Sequence, residues 1–244
     1  MFISGSDQVW SPRCVGFDPA YFLTFADDRQ KYSYAASFAI PTLPDEFIDE
    51  YKKRLNGFQK FSVREPSGEK LVKELTGRTA ETHLDPTLLI SADEWKKDCR
   101  FKNRQTVYPH FTANRQFRLW ILPLNCQKEK NLPVYCINDA PHPVNHGINY
   151  IVAPTVEEFV GCFKNAEYVV TNSFHGTAFS VIFNKNLFVE FKNKSGRNIR
   201  SEGLLKSLGI DREIVDGNCR ETEINWYDVN EKNQEPDNNI FGLS

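Results

Sequence analysis

Tyr168-Val-Val-Thr-Asn-Ser-Phe-His-Gly-Thr-Ala-Phe-Ser-Val-Ile-Phe-Asn184 is the stretch of sequence that decides the fold. It begins with an apolar, β-branched run, breaks at Thr171-Asn172-Ser173, and continues with apolar residues at helical spacing. This pattern predicts a strand, a tight turn and a helix. The turn would place His175 at the carboxyl edge of a sheet, where backbone N–H groups from Gly176 to Ala178 would offer an anion site.

His175 has two interpretations at this point. A lone histidine in a turn is commonly an ordinary hydrogen-bonded residue. The stretch from Lys185 to Arg200 favours a binding role, because it holds five basic residues against the single acid Glu190 in a chain of formal net charge −2. Such a local excess suggests a phosphate or carboxylate partner, and a solvated basic loop remains the alternative.

Composition sets the class of protein. The chain has 244 residues, 40% of them hydrophobic and 25% charged, which is typical of a globular protein with one large or two smaller cores. The calculated pI near 6.2 and the absence of a dense Lys/Arg run argue against a dedicated nucleic-acid binder.

Location follows from what the sequence lacks. It has no run of about 18 apolar residues and no basic-then-apolar leader, so we expect no transmembrane segment and a cytoplasmic protein. Peripheral association with a membrane stays open. The six cysteines form no C-x-x-C pair, which is typical of reduced thiols rather than a structural zinc site.

Strand and helix patterns alternate along the chain and restart at Thr106, after the polar run from Lys96 to Gln105. Buried-looking strands alternating with helices predict α/β units with parallel sheets and helices on both faces. We therefore expect a first unit at residues 1–100, a second at 101–220 that carries His175, and an irregular tail at 221–244.

Two segments of the first unit bear on a site. Phe61 to Glu65 reads as a short strand followed by a helix, so Arg64 would lie at the carboxyl end of that strand, the edge where open α/β sheets bind ligands. Thr82 to Ile90 reads as a further strand-like piece.

Several familiar sites are excluded. His142 and His146 have a zinc-like spacing, but the neighbouring prolines disfavour a helix and no acidic third ligand is near. No P-loop or G-x-G-x-x-G fingerprint is present. Ser173 and His175 lie too close in a tight turn to form a hydrolase pair, and no G-x-S-x-G elbow is present.

Seven segments in order resemble the polysaccharide pyruvyl transferase family, from residue 2 to about residue 212. They are Gly5-Ser-Asp-Gln-Val-Trp10, Ser33-Tyr-Ala-Ala-Ser37, Ser62-Val-Arg-Glu65, Leu84-Asp-Pro-Thr-Leu-Leu89, Glu158-Phe159, Asn165-Ala-Glu-Tyr-Val-Val-Thr-Asn-Ser-Phe-His-Gly-Thr-Ala-Phe-Ser180 and Asn198-Ile-Arg200. The resemblance implies a GT-B-like pair of Rossmann-like units with the active site in the cleft. It also implies transfer of a carboxyethylidene (pyruvyl) group from phosphoenolpyruvate to a cell-surface polysaccharide or lipid-linked sugar, giving a pyruvate ketal.

The resemblance also implies roles for single residues. His175 would be the general acid, or would stabilise the leaving phosphate. Arg64 would be a second catalytic residue. Arg200 and one of Lys192 or Lys194 would hold the anionic groups of the donor, for which the planar fork of an arginine is suited. No metal or redox cofactor is implied, because phosphoenolpyruvate is itself the donor substrate.

Other positions complete the predicted substrate site. Ser173, Gly176 and Thr177 belong to the turn that would bind the donor. Asp7 and Gln8 would either contact the acceptor sugar or cap the turn that contains them. The sequence slightly favours the second role, that of capping the turn.

The sequence differs from the family pattern at its start. Family members carry an additional N-terminal portion, so we expect an N-terminally truncated member with an incomplete first unit. Phe2 to Ser4 would then be an exposed sheet edge, and we expect the chain by itself to have weak activity or none. A GT-B glycosyltransferase that uses a nucleotide sugar and a non-catalytic sugar- or phosphate-binding module are the alternative functions.

Overall fold

The computed structural model describes residues 1–14, 17–97, 105–109, 131–138, 148–191, 199–209 and 214–216. Lys192, Lys194, the His142–His146 pair and the tail from residue 221 lie outside the described residues. Within the described part, no helix is both long and apolar enough to cross a bilayer.

The chain divides into two compact units. Unit 1 comprises Met1–Leu89 and Ser195–Gly203, and unit 2 comprises Ile90–Lys194 and Leu204–Ser244. This division differs in two ways from the boundary that the sequence predicts near residue 100. The segment after Leu89 joins unit 2, since Trp95 packs edge-to-face on Phe179 with ring centroids 5.1 Å apart. Arg200 joins unit 1, although it follows most of the strands of unit 2 in the chain.

Unit 1 is built on short parallel strands. They are β1 (Phe2–Ser4), β2 (Lys31–Ser33), β3 (Ser62–Val63) and β4 (Glu81–Thr82). β1 pairs with β2 and β3 with β4, both in parallel, and parallel bridges join Tyr32 to Lys60 and Ala36 to Val63. The carboxyl ends of these strands therefore lie along one edge. Phe2 and Ile3 on β1 keep exposed side chains.

Two helices and an aromatic core complete unit 1. Helix α1 (Ile48–Leu55) follows a 3-10 turn at Asp45–Phe47. Helix α2 (Pro66–Thr76) is capped at its C-terminus by Gly77, whose φ of 73° lies in the left-handed region that glycine adopts without a steric penalty. The fully buried Trp10 lies at the centre of the core, with the rings of its nearest aromatic neighbours 5.3 Å away. Buried aromatic side chains of this size supply much of the stabilisation of a unit with such short strands.

The strand predicted over Thr82 to Ile90 is wrong beyond its first residue. The structure ends β4 at Thr82 and places a 3-10 helix at Pro86–Leu89. The reason is local, because the Asp85 carboxylate accepts hydrogen bonds from the Thr87 backbone N–H and hydroxyl and turns the chain.

Unit 2 contains a parallel sheet with the order β10-β9-β8-β5-β6-β7 in the described residues. Its strands are β5 (Gln105–Pro109), β6 (Val134–Asn138), β7 (Asn149–Val152), β8 (Ala166–Thr171), β9 (Asn186–Phe191) and β10 (Ile214–Asp216). The sequence patterns predict strands at residues 106–108, 132–137, 148–153, 168–171 and 187–191, which correspond to the first five of these strands, and they miss β10. Every pair in this sheet is parallel, as the alternating pattern predicts.

The helices associated with unit 2 are α3 (Ala92–Lys97), α4 (Val156–Asn165), α5 (Phe174–Ile182) and α6 (Ile199–Ser207), the last of which begins in unit 1. The sequence Thr155-Val-Glu-Glu158 predicts a capping box for α4, and the structure contains it, since Thr155 Oγ1 accepts from the Glu158 N–H and the Glu158 carboxylate accepts from the Thr155 N–H. Phe163, Val169 and Phe179 lie in the core that α4, β8 and α5 share.

Candidate functional site

The turn between β8 and α5 holds His175 at the start of a helix. The Ser173 hydroxyl accepts a hydrogen bond from the Gly176 N–H at 3.3 Å, which makes Ser173 the N-cap. The Ser173 N–H in turn donates to Thr171 Oγ1 at 3.0 Å. His175 is therefore the second residue of α5, half-buried, at the positive end of the helix dipole.

Gly176 allows this turn to be tight. A Cβ at this position would lie 2.4 Å from Thr171 Oγ1, so any larger residue would push α5 away from the end of β8. Because Gly176 has no side chain, the first turn of α5 can lie close to Thr171 at the end of β8, and this close approach sets the position of His175 at the sheet edge.

The predicted anion site at Gly176 to Ala178 requires free backbone N–H groups, and the structure shows that the first two of them are already bonded. The Gly176 N–H is bonded to the Ser173 hydroxyl, and the Thr177 N–H to the Ser173 carbonyl oxygen at 3.0 Å. The Thr177 hydroxyl is fully buried and donates to the same carbonyl at 2.9 Å. These groups hold the first turn of α5 together, and the half-buried group that the turn presents is His175.

Arg64 follows β3 directly, at the carboxyl edge of unit 1. Its side chain is 2% exposed, and its guanidinium donates from Nη1 to Asp85 Oδ2 at 2.8 Å. The Glu65 carboxylate lies 3.9 Å from its Nε. A guanidinium as buried as this one requires carboxylates close by, and both come from residues at the same sheet edge.

Asp85 is held by donors from three places in unit 1. Ser6 donates its hydroxyl to Oδ2 at 2.7 Å, beside Arg64, and Thr87 donates to Oδ1. Burial alone would raise the pKa of the Asp85 carboxyl, but the hydrogen bonds from Ser6, Arg64 and Thr87 outweigh it and lower that pKa to about 2. Asp85 is therefore charged at any physiological pH.

Glu65 is the second buried carboxylate of this edge. Its Oε1 accepts from the Ser37 hydroxyl and from the Ala39 N–H, the latter at 3.1 Å. Ala39 has a φ of 56°, so the chain after β2 bends to bring this N–H to the carboxylate. The bend ties the segment after β2 to the residue that follows Arg64.

Asp7, Gln8 and Arg200 complete the cluster in unit 1. Asp7 Oδ1 lies 3.4 Å from Arg64 Nη2 and 3.8 Å from Arg200 Nη1. With its amide oxygen turned toward Arg200, Gln8 accepts hydrogen bonds from Nη2 at 3.0 Å and from Nη1 at 3.1 Å. Burial is the main cause that lowers the pKa of the Arg200 guanidinium, and the positive charge of Arg64 lowers that pKa further.

A model of one protein family matches most of the chain. The family is described as polysaccharide pyruvyl transferase, and the match covers residues 1–189, which include the carboxyl edge of unit 1 and the His175 turn.

The chain belongs to the polysaccharide pyruvyl transferase family.

This confirms the resemblance seen in the sequence, and it places the chain in a family of transferases. Among curated proteins, no match to this sequence is found.

Three solved structures are similar to this pyruvyl transferase family member to different degrees. Methanocaldococcus jannaschii UDP-GlcNAc 2-epimerase, in complex with UDP-GlcNAc and UDP, matches with a TM-score of 0.50 and 11% identity over 93% of this chain and 70% of its own. E. coli heptosyltransferase WaaC with ADP-2-deoxy-2-fluoro heptose has a TM-score of 0.39 and 8% identity, covering 84% of this chain and 63% of its own. Acinetobacter baumannii MurG has a TM-score of 0.37 and 8% identity, covering 88% and 69%. The first likeness and the parallel sheets confirm the predicted GT-B-like α/β fold class.

The structure distributes the predicted site residues of this family member between the units. Asp7, Gln8, Arg64 and Arg200 come together in unit 1. Ser173, His175, Gly176 and Thr177 come together in unit 2. Of the basic stretch, Lys185 donates to the carbonyl oxygen of Lys164 at 2.7 Å, near the end of α4, while Lys192 and Lys194 lie outside the described residues.

Sequence reasoning missed the buried acids of unit 1. Asp85 and Glu65 hold Arg64, yet neither was predicted as a site residue. A signal was present, because each acid comes within three residues of the end of a parallel strand, where side chains of neighbouring strands meet.

Proposed function

We propose that this chain transfers the pyruvyl group of phosphoenolpyruvate to two hydroxyls of a polysaccharide or lipid-linked sugar, forming a cyclic pyruvate ketal and inorganic phosphate. The observation that carries the proposal is the position of His175, half-buried in the first turn of α5 within the residues that match the family. Membership of a pyruvyl transferase family supports the reaction class.

The reaction has a simple balance of atoms. A proton adds to C3 of phosphoenolpyruvate while one sugar hydroxyl adds to C2. A second hydroxyl then forms its bond to C2 as the C2–O bond to phosphate breaks, and phosphate leaves. The proton on C3 must come from an acid, and the hydroxyl protons pass to bases or to the departing phosphate.

His175 is the residue that this proposal assigns to proton transfer. An imidazole changes its charge near neutral pH, and the first turn of α5 holds it in one place through the Ser173 cap and the close approach at Gly176. The positive end of the α5 dipole also favours an anion beside the ring, which suits a group that leaves as phosphate.

Arg200 and Arg64 are the residues that unit 1 contributes to this proposal. Arg200 is assigned to the anionic part of the donor, because its guanidinium carries its charge beside another arginine. Arg64 keeps the role of a second catalytic residue in this proposal, and Asp85 holds its Nη1 in a buried ion pair. Lys192 and Lys194 stay predicted donor contacts. The proposal requires no metal or redox cofactor.

The experiment combines the purified chain, phosphoenolpyruvate and a panel of glycans that carry vicinal or 4,6-hydroxyls. Phosphate release that depends on both substrates, together with an acid-labile ketal on the glycan, is the expected result. Parallel samples with nucleotide sugars test the glycosyltransferase alternative. Release of a nucleoside diphosphate with no ketal would overturn the proposal, and binding of a glycan without any turnover would favour a non-catalytic module.

A further inference from the structure

Asp7 faces the two arginines of unit 1 from the solvent side. Its side chain is 57% exposed, whereas the side chains of Arg64 and Arg200 are 2% and 9% exposed. A single oxygen, Asp7 Oδ1, approaches both guanidinium groups. The carboxylate therefore stands where an anion arriving from solvent would meet the arginines.

The contacts of Asp7 are loose in comparison with those of Asp85. Asp7 Oδ1 lies 3.4 and 3.8 Å from the two arginine nitrogens, whereas Asp85 lies 2.8 Å from Arg64. Charge-assisted hydrogen bonds of this type are usually about 2.7–2.9 Å long. Asp85 is thus a permanent partner of Arg64, and the Asp7 carboxylate has room to leave.

The backbone of Asp7 is fixed although its carboxylate is loose. Its carbonyl oxygen accepts from the Ser37 N–H at 3.0 Å, and Asp7 forms a parallel bridge with Ala36. Its φ is 86°, in a region that a residue with a side chain enters at a cost in free energy. The backbone contacts therefore hold Asp7 beside the arginines in spite of this strain. The carboxylate can still move away from them by rotation about the Asp7 side-chain bonds.

The charges of the cluster define what could replace Asp7. Among the residues that the structure describes, Arg64 and Arg200 face Asp7, Glu65 and Asp85, so two positive charges lie among three negative ones there. A ligand carboxylate that takes the place of the Asp7 carboxylate leaves this balance unchanged. A doubly charged phosphate in the same place would add a further negative charge beside the buried acids.

We propose that the Asp7 carboxylate occupies, in the ligand-free protein, the place of a ligand carboxylate between Arg64 and Arg200, and that the ligand displaces it on binding. This inference rests on the proposed function and deepens it, because it assigns the carboxylate of the donor to unit 1. Asp7 then acts as an internal competitor. It weakens binding of every ligand at this place, while the buried acids Glu65 and Asp85 favour a singly charged carboxylate over phosphate.

The test compares the wild-type chain with Asp7→Asn, which keeps the size of the side chain and removes its charge. Binding is measured by calorimetry with three probes: pyruvate, inorganic phosphate and phosphoenolpyruvate. We expect Asp7→Asn to bind pyruvate and phosphoenolpyruvate about tenfold more tightly, since a like charge is removed from the place where the ligand binds. Asp7→Gly should do the same, and should also unfold at a higher temperature because glycine adopts a positive φ without strain.

Asp85→Asn is the matched control, because it removes a carboxylate from the same arginine. We expect no gain in affinity for pyruvate, since Asp85 is a permanent partner of Arg64. Unchanged or weaker binding of pyruvate by Asp7→Asn would overturn the inference, as would a failure of both proteins to bind pyruvate. Tighter binding by Asp7→Asn without ketal formation in the wild type would support the inference and remove the proposed function. Ketal formation without any effect of Asp7→Asn would do the reverse.

Discussion

Arg64 and Asp85 form an ion pair 2.8 Å long in which each side chain is 2% exposed, and it joins the ends of β3 and β4. Ser6, from the segment after β1, donates to the same Asp85 oxygen. Three strand ends of unit 1 therefore converge on one carboxylate. This arrangement makes the pair a determinant of stability as well as a support for the proposed anion site.

Asp85→Asn is expected to destabilise unit 1 by about 2–3 kcal/mol at pH 7, because it leaves a buried guanidinium short of a carboxylate. The pKa of Asp85 is lowered from its ordinary value of 3.8 to about 2 in the folded chain. A lowered pKa contributes stability that is present above about pH 4 and is lost as the pH falls toward 2. The difference between wild type and variant should therefore shrink below pH 4.

Hydrogen exchange of peptides that cover β3 and β4 measures this prediction for unit 1 alone. Exchange at pH 7 and at pH 3 gives the opening free energy above and within the window where Asp85 titrates. A difference between the two proteins that does not change with pH would show that the carboxylate contributes through its shape and not through its charge.

Gly176→Ala is expected to destabilise unit 2 by about 2 kcal/mol or more, because the new methyl group meets Thr171 Oγ1 at 2.4 Å. Gly203→Ala in α6 is the control for adding a methyl group to a helix, since nothing lies within 4 Å of a Cβ there; Gly203 is the last residue of unit 1. In the helix interior that substitution should be neutral or stabilising by up to about 1 kcal/mol. Thermal unfolding of both variants gives the comparison. Equal melting temperatures for the two would show that α5 can shift away from β8 freely.

His175→Ala is expected to lower kcat by about 10²–10⁴-fold while the Kd for phosphoenolpyruvate stays within roughly tenfold, because a proton donor acts mainly in the transition state. Single-turnover phosphate release measures the chemical step, and calorimetry measures binding. Loss of binding with an unchanged chemical step would move His175 from proton transfer to ligand binding.

Arg200→Ala is expected to weaken phosphoenolpyruvate binding by about 2–5 kcal/mol, the cost of losing one partner of a desolvated charge pair. Arg200→Lys should recover part of this loss, because an ammonium keeps the charge but not the planar fork. Arg29→Ala is the control, since Arg29 is a highly exposed arginine of unit 1 that pairs with Asp27. The same affinity in wild type and Arg200→Ala would exclude Arg200 from the donor site.

The sequence by itself determined the local framework of unit 2. The apolar run before Thr171, the polar break at Thr171-Asn172-Ser173 and the apolar residues that follow at helical spacing predict the strand, turn and helix that the structure contains, although the structure places His175 inside the helix and not in the turn. Each of these signals acts over a few residues, through backbone hydrogen bonds and side-chain spacing, and is therefore visible in the linear chain.

Tertiary structure alone decided the composition of the unit 1 cluster. Arg64 lies 21 residues from Asp85 and 57 from Asp7, and Arg200 reaches Asp7 from near the far end of the chain. Which strand ends lie side by side depends on the pairing of whole strands, and no local pattern encodes it. The loose contacts of Asp7 and the tight contacts of Asp85 arise from that pairing, because burial and distance, not residue type, separate two aspartates beside the same arginine.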